Sequence, residues 1–316
     1  MNFFSLRRAL MVAACASASL LAACGSGTTE SALTPSRFVV FGDAFSDVGQ
    51  AGTTYSVNDG TVTNWVQQMA NRFGQSVAPS AGGGLDYARV NARVLAKPDA
   101  VGNSGTLTIK EQVDTFLASN SIGGSDVLIL SAGVSDVVAQ MNAVTAGTQT
   151  EDQMIANLQQ AGRDLGAQVR RLVQAGGKQV IVVGPYTLGR SPWAVGLGKV
   201  SLLNNGSGKF NDALLVSIVD LGANVLYVDA AYYLNLVTGD PGSYSLANAT
   251  AVVCTTVDPT NAIGIGANQV NSALCNGSTV GGLNYNSYAF ADPLFFTPVV
   301  NRLFGDYAYN KIRDRF

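Results

Sequence analysis

A chain of 316 residues that is 47% hydrophobic and only 13% charged can bury a large core, and its length suits one domain better than several. It contains no histidine, which excludes an imidazole base, a histidine-liganded zinc and a phosphohistidine carrier. A formal net charge of −2 with no basic cluster excludes nucleic acid as a partner and leaves no polybasic patch for anionic lipid.

The chain opens on what reads as a bacterial export signal. Arg7 and Arg8 supply the positive start, residues 9–21 form an apolar run short for a bilayer span, and Leu21-Ala22-Ala23-Cys24 carries the small residues of a cleavage site. The ending resembles a lipobox, which implies cleavage before Cys24 and a lipid on its thiol; an ordinary secretory signal or a membrane helix is the alternative. Gly25 in place of Asp favours the outer membrane of a Gram-negative envelope. Residues 1–23 are thus expected to be the signal peptide, 24–36 a flexible Ser/Thr/Gly-rich tether, and 37–316 the folded domain.

From Arg37 strands and helices alternate. Residues 37–41, Arg-Phe-Val-Val-Phe, form a buried strand that stops at Gly42. Trp65, Val66, Met69 and Phe73 fall at helical spacing within 63–73, and Ile109, Val113, Phe116 and Leu117 within 108–117. Residues 126–131 are a strand apolar on both faces, followed by a loop through Ala132-Gly133-Val134-Ser135-Asp136. A long helix over 151–175 stops at Gly176-Gly177, and the strand 179–183 follows. A helix over 210–221 and a strand over 224–228 come next. The Gly/Asn/Thr-rich segment 243–285 holds Cys254 and Cys275, most simply a disulfide in an exported chain. A helix over 297–313 closes the chain. Helical segments between short apolar strands imply a parallel sheet covered on both faces, an α/β architecture.

Gly42-Asp43-Ala44-Phe45-Ser46-Asp47-Val48-Gly49 resembles the first block of the GDSL (SGNH) hydrolases, G-D-S-L-S-D-x-G. The likeness to their secreted bacterial lipase and esterase branch continues through Trp65-Val66-Gln67-Gln68-Met69-Ala70, Asp86-Tyr87-Ala88, Gly184-Pro185, 221–229 and Tyr288-Ala289-Phe290-Ala291-Asp292. It implies a three-layer α/β/α sandwich of flavodoxin-like type. It also implies a serine nucleophile, an oxyanion site made by a Gly amide and an Asn, and a late D-x-x-H supplying base and orienting acid. Here Ala44 stands for the nucleophile and Phe295 for the base. Y-A-x-G-G-A reads Tyr87-Ala88-Arg89-Val90-Asn91-Ala92, and G-x-N-D reads Gly133-Val134-Ser135-Asp136, so Asn91 and Ser135 replace the oxyanion groups; Asp292 is retained.

Ala44 has no atom to attack with, and Phe295 cannot carry a proton. Loss of either group alone removes most of the rate in enzymes of this kind. Ser46 belongs to the family wording and reads as a loop-capping hydroxyl. None of the six lysines lies near these blocks. Asp43, Ala44, Ser46, Asn91, Ser135, Asp136, Asp292 and Phe295 would share one rim, with Phe295 packing toward Ala44 and either filling the site or flooring an apolar groove. The expectation is an exported, lipid-anchored binding protein without esterase machinery, its ligand a lipid, glycan or protein of the envelope, and without cofactor. The alternatives are an ester hydrolase using other residues, and a carboxylate-based glycosidase or cation-binding module.

Overall fold

A computed structural model describes residues 33–316; the expected signal peptide, Cys24 and most of the expected tether lie outside the described residues. Leu33 packs on the core, Gln75 donates to the Pro35 carbonyl at 3.2 Å, and Ser36 donates its hydroxyl to Asp126 at 2.9 Å. The last four residues of the expected tether therefore belong to the folded body. Among the described residues, no helix is long and apolar enough to cross a membrane.

The central sheet is parallel, in the order β1 (Arg37–Gly42), β2 (Asp126–Ser131), β3 (Gln179–Val183), β4 (Val225–Tyr227). A further extended stretch lies along β1: Val40 donates to Leu85 at 2.9 Å, Tyr87 to Val40 at 2.7 Å and Arg89 to Gly42 at 3.0 Å. Every residue of β2 is buried, so both faces are covered. In register, Gly42 pairs with Ser131 and Ser131 with Val183. The strands thus end at one rim, where function collects in open α/β sheets.

Two groups of helices do the covering. α1 (Trp65–Arg72) starts on the Asn64 cap and buries Trp65, Val66 and Met69. α2 (Ile109–Ser119) and a longer helix, Glu151–Gln174, each open on a capping box, Thr108 with Glu111 and Thr150 with Gln153. Between them lies α3 (Val134–Thr145), which makes Glu151–Gln174 α4. After the short α5 (Pro192–Gly196) come α6 (Val200–Ile218), α7 (Ala230–Gly239) and α8 (Pro298–Arg315). α1 packs with α8, and α4 with α2 and α6, one group to each face. The result is the expected three-layer sandwich.

Several elements differ from the sequence reading, which placed neither α5 nor α7. The expected loop through Ser135 and Asp136 is the first turn of α3, a helix the reading missed. α6 begins at Val200, ten residues before the expected start, and its Gly206 serves packing: a side chain there would meet Leu158 at 2.9 Å and Met154 at 3.3 Å on α4. In the segment after α7, β5 (Asn248–Val252) pairs with β8 (Tyr288–Phe290), and β6 (Val257–Asp258) with β7 (Gln269–Val270). Cys254 and Cys275 form the expected disulfide, with Cα atoms 5.8 Å apart.

Candidate functional site

The site begins where β1 ends. Gly42 is clamped by the buried side chain of Gln112 on α2: its N–H donates to Oε1 at 2.8 Å and its carbonyl accepts from Nε2 at 3.0 Å. The chain then turns, with the amides of Ser46 and Asp47 both donating to the Asp43 carbonyl at 3.1 Å. One Asp43 carboxylate oxygen accepts from Phe45 N at 3.1 Å; the other accepts from Gly133 N at 3.1 Å and Ser135 N at 3.2 Å. Asp43 is therefore the N-terminal cap of α3, supplied from a distant segment. Gly133 has φ +123°, and a side chain there would strike Pro185 at 2.7 Å and Phe210 at 2.9 Å. Burial pushes Asp43 up to about 6, against the pull of the three amides.

Ala44 follows, 3% exposed. Ser46 is fully buried, and its hydroxyl faces only two carbonyl oxygens, Asp43 at 3.4 Å and Ser131 at 3.3 Å. Ser46 thus ties the turn to the end of β2. Asp47 accepts from Gly49, Gln50 and Val90, and Asp86 from Val48 and Ala88, so carboxylates hold this loop by its amides.

Of Asn91 and Ser135, the residues that the resemblance sets at oxyanion positions, Asn91 has its side chain engaged elsewhere. Asn91, left-handed at φ +61°, donates its side-chain amide to the Ala262 carbonyl at 2.8 Å. Asn142 on α3 donates likewise to the Gly264 carbonyl at 2.7 Å, and Ile263 between these carbonyls is buried in the core. Segment 261–266 is thus tied down on both sides. The backbone N–H of Ser135 is spent on Asp43.

Asp292 is saturated. One oxygen accepts from Leu294 N and Phe295 N, both at 2.8 Å; the other accepts from Ser272 N at 3.0 Å and from the Ser272 hydroxyl. Burial raises its pKa while these bonds oppose the rise. Phe295 is buried, its ring centroid 5.2 Å from that of Tyr55. Burial, with the charges of Asp47, Asp292 and Asp258, holds the Tyr55 hydroxyl protonated far above the usual phenol range. Phe45 packs among Trp65, Tyr186, Phe296 and Phe304, so Phe296 is a core residue.

Asp136 turns another way. It accepts from Val94 N at 3.0 Å and faces Arg93 Nε at 3.5 Å, lining a cavity that none of the other candidate residues lines. Burial pushes it up to about 6, opposed chiefly by Arg93. Asp43, Gly133 and Ser135 thus meet at the strand ends, while Asp136 turns to this cavity. Lys97, Lys110, Lys199 and Lys209 pair with surface carboxylates, and Lys311 lies over the Tyr307 ring. Among the described residues, no group of three or more His, Cys, Asp or Glu side chains could hold a metal ion.

Sequence reasoning missed Gln112, Tyr55, Ser272 and the Ala262 carbonyl. Only Gln112 left a signal, a polar side chain on the buried helical stripe of Ile109, Val113 and Phe116.

No curated protein matches the chain significantly. The family model of GDSL-like lipases and acylhydrolases matches residues 38–307, spanning the strand-end turn, the α3 cap and the Asp292 loop, and the chain belongs to that family.

Proposed function

We propose that this chain is a non-catalytic member of the family that works by binding, exported and held at the outer membrane by a lipid on Cys24. The observation that carries the reading is the state of Asp292. The carboxylate that would orient a base is filled by four donors, two amides of its own loop and the amide and hydroxyl of Ser272, and the position of the base is a buried phenylalanine. Ala44 cannot attack, and Ser46 has neither a base nor access to solvent. Asn91, which could have donated to an oxyanion, holds segment 261–266 instead. The lipobox-like Leu21-Ala22-Ala23-Cys24 supports the anchor.

A fluorophosphonate probe, which phosphonylates activated serines, tests the catalytic half of this proposal. Purified mature chain is expected to remain unlabelled at Ser46 and Ser135. Stoichiometric labelling of either residue, lost on Ser46→Ala or Ser135→Ala, would overturn the reading.

A further inference from the structure

A cavity of about 340 Å³ opens between residues 93–96, α3 and α4, and its walls are polar. Its hydrogen-bonding inventory is incomplete. The Arg93 side chain is 14% exposed and donates only from Nη1, to the Pro98 carbonyl at 3.3 Å; Nη2 has no partner, and Nε is buried without a hydrogen bond. Asp136, its side chain 3% exposed, uses one oxygen on Val94 N, while Oδ1 accepts no hydrogen bond and faces Arg93 at 3.5 Å. Asn157 donates to Gln140 at 3.0 Å and to Gln149 at 3.1 Å, which leaves Asn157 Oδ1 and Gln140 Nε2 unused. Asp164 accepts from Gln160 on one oxygen and has the other open. Leu95 adds an apolar wall.

Two donors, Arg93 Nη2 and Gln140 Nε2, therefore converge with three acceptors, Asp136 Oδ1, Asn157 Oδ1 and Asp164 Oδ2. Of the cavity's groups, Arg93 Nε is buried without a hydrogen bond, which is uncommon, and the five open donors and acceptors line the cavity where solvent reaches them. The mixture selects the chemistry. An anion would meet two carboxylates, and a simple cation would meet Arg93 and leave both donors unused. A hydroxyl both donates and accepts, so several hydroxyls on one small ring match the whole set while its C–H face covers Leu95. The volume sits at the small end of the ligand-pocket range. We infer that this pocket, lined by Arg93, Asp136, Gln140, Asn157 and Asp164, is a binding site for a saccharide of one or two rings. It uses none of Ala44, Asn91, Ser135 or Phe295, so it stands whether or not the chain hydrolyses esters.

Saturation-transfer NMR on the folded chain with glucose, galactose, mannose and N-acetylglucosamine, each up to about 10 mM, tests the inference. At least one sugar is expected to bind, and Gln140→Ala with Asn157→Ala, both side chains reaching solvent, is expected to weaken it about tenfold or more. No transfer to any of the four sugars, or equal affinity in the variant, would overturn it.

Discussion

Asn91 holds Ala262: its side-chain amide reaches the Ala262 carbonyl at 2.8 Å from a left-handed backbone. A residue at an oxyanion position of the family has thereby become a strap for segment 261–266. Asn91→Ala loses the bond and places an alanine where φ is +61°, so stability is expected to fall by about 2 kcal/mol. Asn91→Gly keeps the backbone comfortable and isolates the bond, with a loss of about 1 kcal/mol. Urea unfolding and limited proteolysis within residues 258–270 measure both. A glycine variant as stable and as protease-resistant as the parent would contradict the strap.

Asp43 is a cap that reaches across the fold, and both of its oxygens accept amides. In Asp43→Asn one acceptor becomes an NH₂ group facing an N–H. The loss is expected to be about 2 kcal/mol, read as a lower urea midpoint with an unchanged slope. An unchanged midpoint would show that α3 does not depend on this carboxylate.

The pH dependence follows from the same burial. Asp43 and Asp136 rise from 3.8 to about 6, and Asp47, Asp86 and Asp292 are raised as well. Because the native state holds these protons more tightly than the unfolded chain, their contribution to stability is complete below the unfolded value and is lost as pH rises through about 6. The chain has no histidine to oppose the trend. Carboxylates lowered by partners, Glu111, Asp114 and Asp126, weaken the fold only under more acid conditions. The melting temperature is therefore expected to rise by a few degrees between about pH 7.5 and pH 5. A fall across that window would contradict the assignment.

The disulfide closes a loop with a sequence separation of 21 and anchors the segment that carries Ser272 and Ala262. Cys254→Ser with Cys275→Ser is expected to cost about 3 kcal/mol. Thermal unfolding with and without reductant checks the figure, and identical curves would contradict it.

The sheet was legible because its strands are apolar runs bounded by Gly or Asp, and α1, α2 and α4 because a stripe and a cap coincide. α3 was not, since its cap, Asp43, lies 90 positions away from Gly133 and the local residue is a glycine. The start of α6 was hidden because Gly206 and Gly208 read as breakers, whereas Gly206 lets α6 approach α4. At the site, the sequence alone shows that Ala44 has no atom to attack with and that Phe295 cannot carry a proton. What the remaining groups do instead was hidden, because Asn91 with Ala262 and Asp292 with Ser272 are contacts to a segment whose course no periodicity reveals.

Everything rests on whether the inherited groups still react. Restoring chemistry by Ala44→Ser with Phe295→His is expected to give little, because Asn91 and Asp292 stay committed to their present partners. The most direct measurement is hydrolysis of short-chain and long-chain aryl esters by the purified mature chain. The expected result is a rate equal to the enzyme-free background for both chain lengths. Turnover well above background that disappears on Ser46→Ala would contradict the account.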